Sequence, residues 1–155
     1  MNQEEMKNSS YSKFWITMVI SFVIMYIVMF LNMDDSSHYH TSLTRIYMAL
    51  LMVAPMAIVM MLMMGHMYPN KGTNRLIMLS GVVVFAAALW ALRTQTPITD
   101  VQYMKAMIPH HSSAIMVSKH AGIKDPEVKK LSEQIIQSQE KEISQMESIL
   151  ERMKK

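Results

Sequence analysis

Three stretches of this chain, Phe14 to Leu31, Ile46 to Met64 and Leu76 to Leu92, are apolar and carry no charged side chain. At about 1.5 Å of rise per residue, each approaches the ~30 Å hydrocarbon thickness of a bilayer. Inside lipid a segment must satisfy its own backbone hydrogen bonds, so a run of this kind is helical. That constraint sets the fold class. The sequence predicts an all-α protein: three transmembrane helices, then a C-terminal third rich in Lys, Glu, Ser and Gln. The first run is too long for the apolar part of a signal peptide, and no small-residue cleavage site follows it. Pro55 falls midway along the second run, where it removes a backbone donor and is expected to kink the helix. Trp15, Tyr68 and Trp90 lie near the run boundaries and fit interfacial anchors.

Basic residues in the short loops set the expected orientation. Lys7 and Lys13 precede the first run, and Lys71 and Arg75 separate the second from the third. The first loop carries Asp34 and Asp35, with Arg45 only at its end. The expected order is a cytoplasmic tail over 1–13, a membrane region over 14–92, a linker over 93–99 and an extracytoplasmic domain over 100–155. This describes a multi-pass protein of the cell (inner) membrane. A net charge of +3 and the lack of a dense Lys/Arg run argue against a nucleic-acid partner.

In the C-terminal domain, Thr99 and Gln102 read as a capping box opening a helix that runs to His120. Ala121-Gly122 is the expected stop. Asp125-Pro126 pairs an N-cap with a first-turn proline, starting a second helix to about Met153. Its apolar positions Val128, Leu131, Ile135, Met146, Ile149 and Met153 recur at helical spacing, widened by Ile136, Ile143 and Leu150. A two-helix hairpin buries little surface and is marginal alone. The expectation is therefore a homodimer in which two hairpins complete a four-helix bundle. Packing against another protein's helices would serve equally.

Cysteine is absent, which excludes disulfides, thiolate zinc sites and thiol nucleophiles. Methionine is the compositional outlier, with 20 residues. A thioether fills cores well and is also a soft ligand suited to Cu(I). In YMKAMIPHHSSAIMVSKH, residues 103–120, helical steps put Met104, Met107 and His111 on one face with His110 flanking. Met116 and His120 form a separate pair, and Pro109 bends the local geometry. Two imidazoles and two thioethers within about two turns suit copper better than magnesium or calcium. A Met/Ile stripe on an amphipathic helix is equally an ordinary core, and both readings stand at this point. No nucleophile–base pair or carboxylate dyad accompanies the histidines, so no enzymatic activity is expected.

Two further features invite a metal reading beside a plainer one. His38 and His40 sit in the first loop near Met33, Asp34 and Asp35, as a capture site or an ordinary solvated loop. Met48, Met52, Met56, Met60, Met63 and Met67 form a ladder along the second apolar run, ending beside His66. Met18, Met25 and Met29 make a similar face on the first. Packing between helices and lipid is the plainer explanation, and no intramembrane charge marks an ion path.

The segment from about Gln102 to Leu150 resembles the domain of unknown function 305 family. The residues that carry the likeness are Met104, Met107-Ile108-Pro109-His110-His111, Ala114-Ile115-Met116, Pro126-Glu127-Val128, Leu131, Ile135, and Gln139-x-x-Glu142-Ile143-x-x-Met146. The resemblance implies a ferritin-like helical bundle, export from the cytoplasm, and copper binding or copper resistance. The ligands it implies are Met104, Met107, His110, His111, Met116 and, from the second helix, Met146, with Glu142 or Gln139 orienting an imidazole. This chain departs from longer relatives in holding one helical pair instead of two, and in its membrane tether. The expected function is extracytoplasmic binding of Cu(I), or Ag(I), for buffering, resistance or hand-over. The alternative is a docking or dimerisation module without metal.

Overall fold

The computed structural model describes residues 3–154. The start of the tail expected over 1–13 (Met1 and Asn2) and the final Lys155 lie outside the described residues. Among those described there are five α-helices and no strand: α1 (Gln3–Val28), α2 (Leu43–Met64), α3 (Lys71–Thr94), α4 (Asp100–His120) and α5 (Pro126–Met153). Short 3-10 turns occupy Ser36–His38 and Gly65–Met67. The first three helices are long and apolar enough to cross a membrane, over Ser10–Val28, Leu43–Met67 and Lys71–Thr94. The chain divides into two compact units. One comprises residues up to Ile27 with Ile46–Thr96, and the other Val28–Arg45 with Pro97–Lys155.

The first unit is built on side-chain contacts among α1, α2 and α3. Phe14, Met18, Ala57, Met61 and Ile77 form its buried cluster, with Tyr11, Met56, Met60, Tyr68 and Met78 packed around it. Small residues let the helices approach closely. A Cβ placed on Gly81 of α3 would lie 2.8 Å from Cγ1 of Ile58 and 3.3 Å from the Ala54 carbonyl oxygen on α2. Buried Asn74 is fully engaged: Nδ2 donates to the Gly65 and Tyr68 carbonyls, and Oδ1 accepts from the Tyr11 hydroxyl at 2.7 Å. Large apolar side chains, including Ile16, Val19, Leu62, Leu79 and Val83, are exposed. Trp15 and Trp90 are among them, whereas Tyr68 packs its ring on Tyr11 and Phe14. α2 is helical through Pro55.

In the second unit α4 and α5 run antiparallel, joined by five residues. Met104, Ile108, Ile115, Ile143 and Leu150 form the core between them. Thr99 caps α4 by accepting from the Gln102 amide. The reciprocal half of the expected capping box is not made, because Gln102 Oε1 instead accepts from the amide of Leu43 at 3.0 Å. Asp125 caps α5 through the amides of Glu127 and Val128. The inward face of α5 is centred on Ser132, Ile143 and Leu150, while Val128, Leu131, Ile135 and Met153 are exposed. The α5 stripe read from the sequence is thus rotated toward the residues that only widened it. One partner helix covers a single sector of α5, and the neighbouring apolar sector is left open.

The first loop is folded along α4. Ser112 Oγ is completely buried and accepts from the amides of Asp34 at 2.9 Å and Asp35 at 3.4 Å. His38 Nδ1 sits 2.9 Å from the same oxygen. With both lone pairs taken by amides, the serine hydroxyl donates to that nitrogen. Lys119 Nζ meets Asp34 Oδ2 at 2.8 Å, and Asn32 Nδ2 donates to Ser113 Oγ at 2.6 Å.

Candidate soft-metal site

An open groove of about 520 Å³ runs between α4 and α5, and its lining includes Met104, His111, Glu142, Met146 and Met153. The sequence placed Met104, Met107 and His111 on one helical face. Met104 and His111 are buried against α5, because their positions flank the Ile108–Ile115 core, whereas Met107 is only half-buried. Met146 approaches from α5, half-buried against the same core. Three of the six expected ligands therefore share the groove. Met107, His110 and Met116 do not line it: His110 is exposed and Met116 half-buried. The Met116 carbonyl accepts a hydrogen bond from His120 Nδ1 at 2.9 Å.

His111 is the chemically distinctive member. Its Nε2 lies 3.1 Å from Glu142 Oε2. The other Glu142 oxygen accepts from the Ser138 hydroxyl at 2.7 Å, one helical turn earlier. Both carboxylate oxygens are thereby fixed, and the imidazole is oriented by a group that is itself oriented. Burial lowers the His111 pKa from its ordinary value, Glu142 opposes that shift, and His110 adds to it. The ring is consequently neutral at pH 7, with its proton on Nε2 facing the carboxylate. The lone pair is then on Nδ1, which is buried and has no hydrogen-bond partner. A buried acceptor without a partner is costly in a protein interior, and a metal ion is one group that would satisfy it.

The donor types define what such an ion is. Among the described residues no three His, Cys, Asp or Glu side chains gather at metal-binding distance. Beside the carboxylates of Asp100 and Glu142 and the guanidinium of Arg152, the groove offers one neutral imidazole and the thioethers of Met104, Met146 and Met153, soft donors that suit Cu(I) or Ag(I). Of the two polar residues expected to orient a histidine, Glu142 does so. Ser138 and Met153 were not singled out from sequence as parts of the site. The i, i+4 spacing of Ser138 and Glu142 was the available signal for the first. Met153 lies within the α5 apolar stripe, where a thioether ligand and a packing residue have the same pattern. His38 and His40 do not enter the groove; His38 is engaged by Ser112, and His40 lines a separate cavity with Lys105 and Glu147.

Comparison with known proteins returns a family and a viral relative. Residues 55–153 match the family described as a domain of unknown function, DUF305. Uncharacterized protein L153 of Acanthamoeba polyphaga mimivirus is 43% identical over 115 residues, which is 72% of this chain and 73% of that protein. No solved structure matches.

Proposed function

We propose, from the premise that this chain belongs to the DUF305 family, that it is a multi-pass membrane protein binding Cu(I), with Ag(I) as its soft analogue, outside the cytoplasm. Its role is to buffer the metal or hand it on, without catalysing a reaction. The observation that carries this reading is the buried, partnerless Nδ1 of His111, in a ring oriented by Glu142 and set in a groove with three thioethers. Thioethers need no deprotonation and do not form disulfides, so they serve as ligands where cysteine would be oxidised.

The orientation rests on the basic residues around Lys13, Lys71 and Arg75, set against the acidic pair Asp34 and Asp35. Three crossings bring the first loop and the C-terminal helices to one side of the membrane. The grouping of 28–45 with 97–155 in one compact unit supports that arrangement. The open apolar sector of α5, with Leu131 at 54% exposure, supports pairing with a second copy into a four-helix bundle. The same sector favours the second reading, a docking module in which Met and His only pack.

The deciding experiment is a Cu(I) titration of the full chain in detergent, competed against a Cu(I) chelator. Replacing Met104 and Met146 by Leu and His111 by Ala should remove a binding event whose metal shell contains an imidazole, while helicity is retained. An unchanged titration and an unchanged shell would turn the reading to docking.

A further inference from the structure

We propose that the three apolar helices hold a second soft-metal site, separate from the α4–α5 groove: a cluster of methionines walled by aromatic rings that takes Cu(I) or Ag(I). Met18 and Met61 are 4% and 3% exposed, and Met56, Met60 and Met78 pack against the same buried cluster. Each of the three helices contributes: Met18 from α1, Met56, Met60 and Met61 from α2, and Met78 from α3. The group differs from the ladder that helical spacing alone picks out. Met48, Met52, Met63 and Met67 of that ladder are exposed, while Met61 and Met78, which lie off it, are in the cluster.

Filling space does not by itself explain the choice of side chain. α2 carries seven methionines and four leucines. On burial methionine loses roughly twice the rotamer freedom of leucine, so packing alone favours leucine. A thioether adds one capacity that leucine lacks, soft-metal ligation, and it is uncharged, so it rests in hydrocarbon without the cost an ionisable ligand incurs. Tyr11, Phe14 and Tyr68 complete the wall, with ring centroids 5.4 Å apart for Tyr11–Tyr68 and 5.9 Å for Phe14–Tyr68. Of these methionines, Met18 also borders an apolar cavity of about 210 Å³, beside Ala57 and Ile77. The site lies where α1 and α3 enter their apolar spans and α2 leaves its own.

The test uses the full chain in lipid nanodiscs, titrated with Cu(I) or Ag(I) against a competing chelator. With the groove disabled by Met104→Leu, His111→Ala and Met146→Leu, one equivalent should remain, with an X-ray absorption shell of sulfur and no imidazole. Adding Met18→Leu and Met61→Leu, which conserve volume, should abolish it. If those two substitutions perturb helicity, Met60→Leu with Met78→Leu should weaken the same equivalent by at least tenfold. No metal on the groove-disabled chain, or undiminished binding after the methionine substitutions, overturns the proposal. The two sites fail distinguishably. A native chain whose single equivalent disappears with Met18→Leu and Met61→Leu would uphold the cluster and remove the groove.

Discussion

Glu142 Oε2 stands 3.1 Å from His111 Nε2, and this contact determines which imidazole nitrogen is left to act. The carboxylate claims the Nε2 proton, so the lone pair is at buried Nδ1. Glu142→Ala should therefore weaken Cu(I) binding about 10- to 100-fold, the usual consequence of losing a carboxylate that orients a ligating histidine. Glu142→Gln, whose amide oxygen still accepts from Nε2–H, should recover part of that loss. Chelator competition reads both. Equal affinity for Glu142→Ala and the native chain would remove Glu142 from the site.

The same ring predicts a pH dependence in the metal-free protein. Its pKa is lowered from 6.5 in the folded chain, chiefly by burial. Above 6.5 both folded and unfolded chains are neutral there. As pH falls below 6.5 the unfolded chain takes a proton that the folded chain resists, so stability declines toward acid. His40, also lowered by burial, acts in the same direction. Melting temperature should drop between pH 7.5 and 5.5, and His111→Asn combined with His40→Asn should flatten the drop. A slope unaffected by the pair would assign it to other groups.

Ser112 holds the first loop to α4 with an oxygen that accepts two backbone amides. Ser112→Ala deprives Asp34 and Asp35 of an acceptor and His38 of a donor. The loss should be about 1–3 kcal/mol, the cost of leaving such groups unsatisfied. Amide hydrogen exchange should quicken first at Asp34 and Asp35. Unaltered exchange there would show the tie to be dispensable.

How far the sequence reveals this molecule follows from which residues interact locally. Asp125-Pro126 and Thr99 announce helix starts because a cap is satisfied within a turn, and α4 and α5 begin where those signals lie. The uncharged runs announce three long apolar helices for the same local reason. Which sector of α5 faces inward depends on a partner helix, so spacing alone favoured Leu131 and Ile135 over Ile143 and Leu150. Gln102 illustrates the limit sharply. Its position fits a capping box, yet its side chain reaches Leu43, 59 residues away. Among the candidate ligands, the pairing of Met104 with His111 follows from seven-residue spacing. Met146 was legible only through the family resemblance, because spacing within one helix does not say which α5 residue meets α4, and the separation of His110 from the groove required the fold.

Gly81 approaches α2 so closely that an added methyl meets Ile58 at 2.8 Å. Gly81→Ala should destabilise the three-helix unit by about 1–3 kcal/mol through overpacking. Ile58→Ala in the same chain should recover much of this, since the nearest obstructing atom is a side-chain carbon. The Ala54 carbonyl at 3.3 Å keeps the rescue incomplete. A double-mutant cycle in detergent measures the coupling. Additive effects would mean that the two positions do not touch.

Leu131 and Ile135 are 54% and 36% exposed on α5, beside Val128 at 49%. An exposed apolar sector of this kind is a surface that another helix can cover, and under the proposed pairing a second copy supplies a matching face by two-fold symmetry. On the proposed pairing, Leu131→Glu with Ile135→Glu should shift the full chain from dimer to monomer in analytical ultracentrifugation. It should leave helicity unchanged, because neither residue belongs to the Ile108–Ile143 core. Running the Cu(I) titration on this variant separates the roles of the face. A monomer that still binds metal would place the whole site within one chain. Loss of binding together with loss of the dimer would mean that the partner's groove residues complete the coordination. A sedimentation profile identical to the native chain would show that this sector does not mediate self-association.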